Sequence, residues 1–318
     1  MKAILYREYG SPDVLRLEDV TMPTPKDDEV LIGVRAASAN PLDWRVMRGS
    51  PYPIRIMVGL PRPRDPRLGV DVAGRVEAVG GSVTEFRPGD DVFGSCSGAF
   101  AEHACAPAKS VATKPAGVTF EQAAAAVVAG VTALQGLRDR GKLQRGQSVL
   151  INGAAGGVGT FAVQIAKWLG AEVTGVCSTP NVDLVRSLGA DRIVDYTRED
   201  FTAGDQRYDL ILDMIGNHSL SDCRRALTRK GTLAVVGGRL RNMLVAPFVS
   251  PFVSQRLIPV MAKVRKEDLV SLGGLLEAGT VKSVIDRRYP LAEVPDAIGY
   301  LEKGHARGKV VIAMKDPE

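Results

Sequence analysis

The stretch INGAAGGVGTFAVQIAK, residues 151–167, narrows the fold of this chain more than any other. Glycines stand at 153, 156, 157 and 159, and an apolar, proline-free segment follows at once. Before them, SVLIN is a short branched run suited to a buried strand. After them, Val158, Phe161, Ala162, Ile165, Ala166 and Leu169 recur at i, i+3, i+4 spacing, which gives a helix one buried face. Gly170 supplies its stop. Glycine permits the tight strand-to-helix turn. It also leaves the helix N-terminus bare, where free N–H groups and the helix dipole attract negative charge. Gly153, Gly156 and Gly159 keep the spacing G-x-x-G-x-x-G, and the third glycine lets the helix pack close to the strand. This is the context of a dinucleotide-binding turn. Gly153, Ala154, Gly156, Gly157 and Val158 are the candidates to lie against a pyrophosphate. The alternative is a structural glycine turn that holds no ligand.

The surroundings extend the pattern. TFEQAAAAVVAGVTALQGLRD reads as an alanine-rich helix with Thr119 as N-cap. EVTGV, RIVDY, YDLILDMI and TLAVVG then read as strands, alternating with the helical runs VDLVRSL and SLSDCRRAL. Such a series implies a doubly wound parallel sheet wrapped by helices, the α/β Rossmann class. Residues 1 to about 115 are instead β-rich, with the strand patterns EVLIGVRAAS and VAGRVEAVG. A chain of 318 residues is expected to hold two domains. The proline- and arginine-rich segment 49–69 reads as a long surface loop, either a solvated connection or a wall of a binding site. Near the end, AEVPDAIGYLEKG reads as a helix and KVVIAM as a closing strand.

Composition bounds the function classes. The charge of +5 (41 minus 36) is dispersed, with no basic stripe or aromatic platform for nucleic acid. No uninterrupted apolar run of membrane-spanning length occurs. The nearest, 243–264, is broken by Pro247, Pro251, Gln255, Arg256 and Pro259 and reads as a helix with irregular ends packed at a domain or subunit interface, the alternative being a substrate-side lid or membrane-leaning surface. Cys96, Cys105, Cys177 and Cys223 form no C-x-x-C pair, and the first residues are no signal peptide. A reduced, cytoplasmic protein is the plain expectation.

The kind of dinucleotide is read from the next strand, which ends at VCSTPN without a carboxylate. Ser178, Thr179 and Asn181 can hydrogen-bond a 2′-phosphate, with Arg186 or Tyr196 in support, so NADP(H) is favoured over NAD. These residues are also ordinary helix caps. Gly237 and Gly238 close the last strand of the series, where backbone can approach the nicotinamide side.

GQSVLINGAAGGVGTFAVQIAK (146–167) resembles the signature of zinc-independent quinone oxidoreductases, the zeta-crystallin-like branch of the medium-chain dehydrogenase/reductases. SANPLDWRVMRG, LGVDVAGRVEAVG, FRPGDDVFG, SLGADRIVDY and GHARGKVVI extend the resemblance over essentially the whole chain. It implies a β-rich, GroES-like catalytic domain at 1–118, a Rossmann domain at 119–262 and a return to the catalytic domain at 263–318. It also implies a nicotinamide between the domains and a homodimer. Zinc-dependent relatives place a cysteine where this chain has Asn40, and a His-Glu pair where it has Val70 and Asp71. Val70 cannot coordinate and Asn40 is a poor ligand, so no metal is expected. By the same resemblance Asn40 contacts cofactor or substrate oxygen and Asp43 serves as a hydrogen-bonding or proton-relay partner; as plain turn and cap residues both are also ordinary. Some relatives place a tyrosine where Arg45 stands. Tyr52 is a candidate donor to a developing oxyanion. Arg307 and Lys309 are candidate anion contacts, or else a solvated charge pair at a strand start. The expected function is NADPH-dependent, metal-free hydride transfer to a quinone or an α,β-unsaturated carbonyl. The alternatives are a zinc-independent alcohol or aldehyde dehydrogenase-like enzyme and an NADPH-holding structural protein.

Overall fold

A computed structural model describes residues 1–237 and 240–314. In chain order the strands and helices are β1 (Lys2–Tyr6), β2 (Leu15–Asp19), β3 (Glu29–Ala39), α1 (Pro41–Arg48), α2 (Pro53–Val58), β4 (Asp71–Val79), β5 (Asp91–Ser95), β6 (His103–Pro107), β7 (Val111–Thr113) and α3 (Phe120–Leu134). There follow β8 (Ser148–Asn152), α4 (Gly157–Trp168), β9 (Glu172–Cys177), α5 (Val182–Ser187), β10 (Arg192–Asp195), β11 (Tyr208–Asp213), α6 (Leu220–Arg225), β12 (Leu227–Val235), α7 (Leu240–Val249) and β13 (Arg256–Pro259). The chain closes with α8 (Lys266–Glu277), β14 (Ile285–Pro290), α9 (Val294–Glu302) and β15 (Lys309–Ala313). It divides into two compact units. Unit 1 comprises Met1–Val128, Val264–Ala278 and the chain from Ser283; unit 2 comprises Ala129–Lys263 and Gly279–Lys282.

Unit 1 is built on one sheet in the order β14-β15-β3-β4-β5-β7, with β6 also on β3. β3 is its organising strand. Its run of valine, isoleucine and alanine is buried almost throughout, and it pairs antiparallel with β15, β4 and β6. The core beneath it collects Ile4, Tyr6, Val30, Ile32, Val72, Phe100, Val310 and Ile312 from both ends of the chain. β15, the last strand, therefore lies inside the sheet, between β14 and β3. The expected surface loop at 49–69 carries the short helix α2. Pro53 opens it at a position where its missing N–H costs nothing, and Gly59, at φ 141°, ends it.

Unit 2 is a parallel sheet in the order β10-β9-β8-β11-β12-β13. Its order reverses between β8 and β11, the switch point of a doubly wound fold. The expected fold class is thus the observed one, an α/β parallel-sheet unit and a β-rich unit. The expected irregular helix in 243–264 ends at Val249, and Arg256–Pro259 is instead the edge strand β13. Proline at 247, 251 and 259 hid that strand, and an edge tolerates proline. Thr119 caps α3 as expected: its hydroxyl accepts from Gln122 N at 3.2 Å, and Gln122 Oε1 accepts from Thr119 N at 3.0 Å. Among the described residues one helix, Phe120–Arg140, has the length and hydropathy of a membrane span, and 78% of its apolar window is buried in the protein.

The glycines of the 153–159 turn differ in what they permit. A Cβ on Gly159 would stand 2.1 Å from the Gly153 carbonyl oxygen and 2.8 Å from Ala154, so α4 rests directly on the turn. Gly274, exposed on α8, has nothing within 4 Å of the same position. Gly159→Ala should therefore lower stability by about 1–3 kcal/mol through overpacking. Gly274→Ala should raise it by about 1 kcal/mol through helix propensity. Urea titrations of both variants check this; equal effects would refute the close approach.

Candidate active site

Unit 1 encloses a cluster of five polar side chains. Ser38 comes from the end of β3, Asn40 from the cap of α1 and Asp43 from its first turn, Asp71 from the start of β4 and Lys309 from the start of β15. All are at most 3% exposed. Asp71 Oδ2 accepts from Ser38 Oγ at 2.6 Å, Asn40 Nδ2 at 2.8 Å and Lys309 Nζ at 3.4 Å. Its Oδ1 accepts from the Val128 amide at 3.1 Å. Lys309 Nζ also donates to Asn40 Oδ1 at 2.6 Å and to the Ala39 carbonyl at 3.1 Å. Buried charges persist only when paired and hydrogen-bonded in this way.

Asp43 is set apart from that ion pair. Its carboxylate accepts from the Asn40 amide at 2.7 Å and so caps the start of α1. Burial pushes its carboxyl up to about 7; the amide of Asn40 opposes the shift, the Asp71 charge adds to it, and Lys309 and the Gly69 amide oppose it.

The cluster does not suit a zinc ion. Asn40 offers a carboxamide, Val70 offers no donor atom, and the Lys309 ammonium places a fixed positive charge against Asn40 and Asp71. No group of three or more His, Cys, Asp or Glu that could hold a metal occurs among the described residues.

In unit 2 the turn Gly153–Gly156 leads from β8 into α4. Gly153 takes a left-handed φ of 93°, and the amides of Gly153 and Ala154 are bonded to Val176 O. Gly156 caps α4 without any side-chain hydrogen bond. The amides of Gly157, Val158 and Gly159 precede the first intrahelical bond, which runs from Thr160 to Gly156. Gly156, Gly157 and Val158 are partly exposed, so the positive end of a 12-residue helix is presented bare. This fits an anionic phosphate group.

At the end of β9, Asn181 Nδ2 donates to Ser178 Oγ at 3.1 Å, and Asn181 Oδ1 is buried with no partner. An unsatisfied polar atom of that kind fits a ligand that brings its own hydrogen-bonding groups. Thr179 differs from expectation. Its hydroxyl donates to Asp195 Oδ2 at 2.5 Å and lies 3.0 Å from Thr197 Oγ1, so it is engaged within the protein. Arg186 pairs with Asp183, and Tyr196 is 57% exposed. In the turn after β10, Arg198 lies 3.6 Å from the Asp195 carboxylate.

Other expected residues fall elsewhere. Tyr52 is 63% exposed at the start of α2, against the Arg55 guanidinium, and is no part of the buried cluster. Arg45 lies over Trp44. Arg307 is exposed, with its amide on Asp286. Lys309 is not a solvated charge, and its ammonium is held by Ala39, Asn40 and Asp71. Gly237 approaches Met214 closely, with 2.9 Å from an added Cβ to the Met214 carbonyl oxygen; Gly238 lies outside the described residues. Sequence reasoning missed Asn152 and Asp213, the last residues of β8 and β11 at the switch point. Asn152 Nδ2 donates to Asp213 Oδ1 at 2.8 Å and to Asn217 Oδ1 at 3.0 Å, and Asp213 Oδ1 also takes the amides of Ile215 and Gly216. Two polar residues ending two adjacent apolar strands were the available signal.

The Asp43 carboxyl gives a prediction with a definite sign. The folded protein holds this proton more tightly than the unfolded chain, where an aspartate titrates near about 4. The contribution of Asp43 to stability is therefore fully present below about pH 4 and is lost as pH rises through about 7. Asp43→Asn retains an acceptor for the Asn40 amide but cannot ionise. Wild type should lose stability relative to this variant between pH 5 and 8, by up to about 1.4 kcal/mol per unit. Urea midpoints at several pH values measure it; parallel profiles would refute the shift.

Comparison with known proteins follows the same lines. Residues 26–116 match the family described as alcohol dehydrogenase GroES-like domain, and residues 188–312 the one described as zinc-binding dehydrogenase. The chain is 33% identical to the chloroplast envelope quinone oxidoreductase homolog of Arabidopsis thaliana, over 98% of each chain. It is 36% identical to the NADPH-dependent alkenal/one oxidoreductase, chloroplastic, of the same plant, over 98% of this chain and 79% of that one. Among solved structures, the quinone oxidoreductase from Coxiella burnetii superposes with a TM-score of 0.89, at 31% identity and 99% coverage of both chains. With that identity running over the full length of both units, the chain belongs to the quinone oxidoreductases of the medium-chain dehydrogenase/reductase superfamily.

Proposed function

We propose that the protein is an NADPH-dependent, metal-free oxidoreductase that reduces a quinone or an α,β-unsaturated carbonyl. The observation that carries the metal-free part is the Lys309 ammonium, 2.6 Å from Asn40 Oδ1, at the position where zinc-dependent relatives hold ligands. The relative named as an NADPH-dependent alkenal/one oxidoreductase supports the cofactor and the acceptor class. The division into a catalytic part (1–118 and 263–318) and a cofactor part (119–262) belongs to the same reading.

The dihydronicotinamide supplies the hydride. In unit 2 we assign the bare amides of Gly157 and Val158 to the pyrophosphate, and Ser178, Asn181 and Tyr196 to the adenosine end. Gly153, Ala154 and Gly156 shape the turn and Gly237 offers backbone; Arg307, an exposed cation, stays a candidate anion contact. Asn40 is assigned to the acceptor oxygen. One Nδ2 hydrogen is spent on Asp71; the other meets only the Ser38 carbonyl at 3.4 Å, beyond a good hydrogen bond, and is available as charge develops. Quinones and enones both take hydride at a carbon conjugated to a carbonyl, so one such donor serves both. Asp43, titrating near about 7, holds a proton within unit 1 at working pH. The four cysteines are unpaired thiols, which suits a reducing compartment such as the cytoplasm.

The test is NADPH oxidation by the purified protein with an ortho-quinone and with a 2-alkenal, each with excess EDTA. Turnover should be unaffected by the chelator, and Asn40→Ala should lower kcat/KM by at least about 10-fold. Loss of turnover in EDTA would overturn the metal-free reading; no turnover with either acceptor would overturn the function.

A homodimer is part of the proposal. Leu244, Phe248, Phe252 and Met261 are 60%, 77%, 88% and 75% exposed on unit 2, and among the described residues β13 is an edge strand of its sheet. Light scattering should give twice the 33.9 kDa chain mass, and Phe248→Asp with Phe252→Asp should give the single mass. A monomeric wild type would refute it.

A further inference from the structure

We infer that Lys309 and Asp71 are positioning residues that lock the Asn40 carboxamide in one of its two orientations. The two ends of an amide look alike in shape and differ only in hydrogen bonding. Here Lys309 Nζ faces Oδ1 at 2.6 Å and Asp71 Oδ2 faces Nδ2 at 2.8 Å. An ammonium can only donate and a carboxylate can only accept. A flipped Asn40 would set N–H against the ammonium and oxygen against the carboxylate, so both contacts would turn from attractive to repulsive. Both charged groups are themselves anchored to backbone. Lys309 holds the Ala39 carbonyl at 3.1 Å, and Asp71 holds the Val128 amide at 3.1 Å. Ser38 takes a further place on Asp71 Oδ2. The lock is therefore rigid, and it leaves the second Nδ2 hydrogen pointing one way. Its effect on the reaction rests on the proposed role of Asn40. It also reassigns Lys309: with its donors on Ala39, Asn40 and Asp71, the ammonium is not an anchor for a cofactor phosphate.

A mutant cycle tests this on the full-length protein. Asn40→Ala and Lys309→Met should each lower kcat by about 10-fold or more, while the double variant should fall no more than about 2-fold below Asn40→Ala alone. The Kd of Lys309→Met for NADPH, read by fluorescence titration, should stay within about 2-fold of wild type. Should the unpaired Asp71 prevent Lys309→Met from folding, the charge-free pair Asp71→Asn with Lys309→Met replaces it, with and without Asn40→Ala. Losses that multiply in the double variant would show that Lys309 acts independently of Asn40. A loss of NADPH affinity of about 10-fold, steeper at low salt, would make it a direct phosphate contact. Either result overturns the proposal. If Asn40→Ala keeps its kcat, the role of Asn40 fails and the lock loses its purpose, while NADPH turnover in that same assay leaves the wider functional reading intact.

Discussion

The ion pair between Lys309 and Asp71 is the contact on which unit 1 depends. Both side chains are almost wholly removed from water, and desolvation of two charges is repaid only by good geometry and by further hydrogen bonds. Those bonds reach Ala39 at the end of β3, Asn40 at the start of α1 and Val128 in α3. Five elements, β3, α1 and α3 with the β4 and β15 that carry the two charges, are thus tied together through positions 238 residues apart. Such a pair is weak evidence for stability, because apolar residues often serve as well. Its loss on one side is another matter, since an unpaired charge would remain in the core. The last strand is consequently a structural partner of the first half of the chain.

That arrangement explains what the sequence disclosed. The parallel sheet was legible because its signals are local: a branched run, a glycine turn and an amphipathic helix occupy adjacent residues, and each constrains the next. The turn of 153–159 could be assigned for the same reason, since its chemistry is backbone chemistry and glycine marks it. The cluster around Asn40 is of the opposite kind. Lys309 reads as one more cation in an exposed-looking terminal segment, and only the insertion of β15 between β14 and β3 buries it. Asp71 reads as a departure from a zinc ligand, and nothing local announces its partner. Arg198 and Asp195 escaped notice because they reach the end of β9 from the neighbouring strand, whose Asp195 pairs in register with Cys177. β13 was missed because three prolines outweighed four residues of strand.

The C-terminal end of β9 shows how charge is divided there. Asp195 is an anion where a 2′-phosphate is expected, yet Thr179, Thr197 and Arg198 surround it. Hydrogen bonds from the two threonines, with Arg198 beside it, hold its carboxyl below the usual carboxylate range. Its charge is therefore internally compensated. In the proposed reading Ser178, Asn181 and Tyr196 are left for the ligand here, and Asn181 Oδ1, which has no partner in the protein, is free to accept.

The two units apply electrostatics in different ways. Unit 2 offers an anion oriented backbone amides at a helix start, a fixed dipole that no proton can switch. Unit 1 also places a carboxyl at a helix start, that of Asp43 on α1, where the Asn40 amide favours its ionised form. Burial outweighs that help, and the neighbouring Asp71 charge adds to the burial, so the carboxyl rises to about 7 in spite of its cap. Lys309 and Asp71 offset one another in charge, and Asp43 is the carboxyl that burial carries toward neutral pH. The amide of Asn40 lies between these groups: its side chain is held by the compensated pair and its backbone N–H by the switchable acid. The orientation of Asn40 is therefore set by the charge pair, while the charge felt beside it follows the protonation of Asp43.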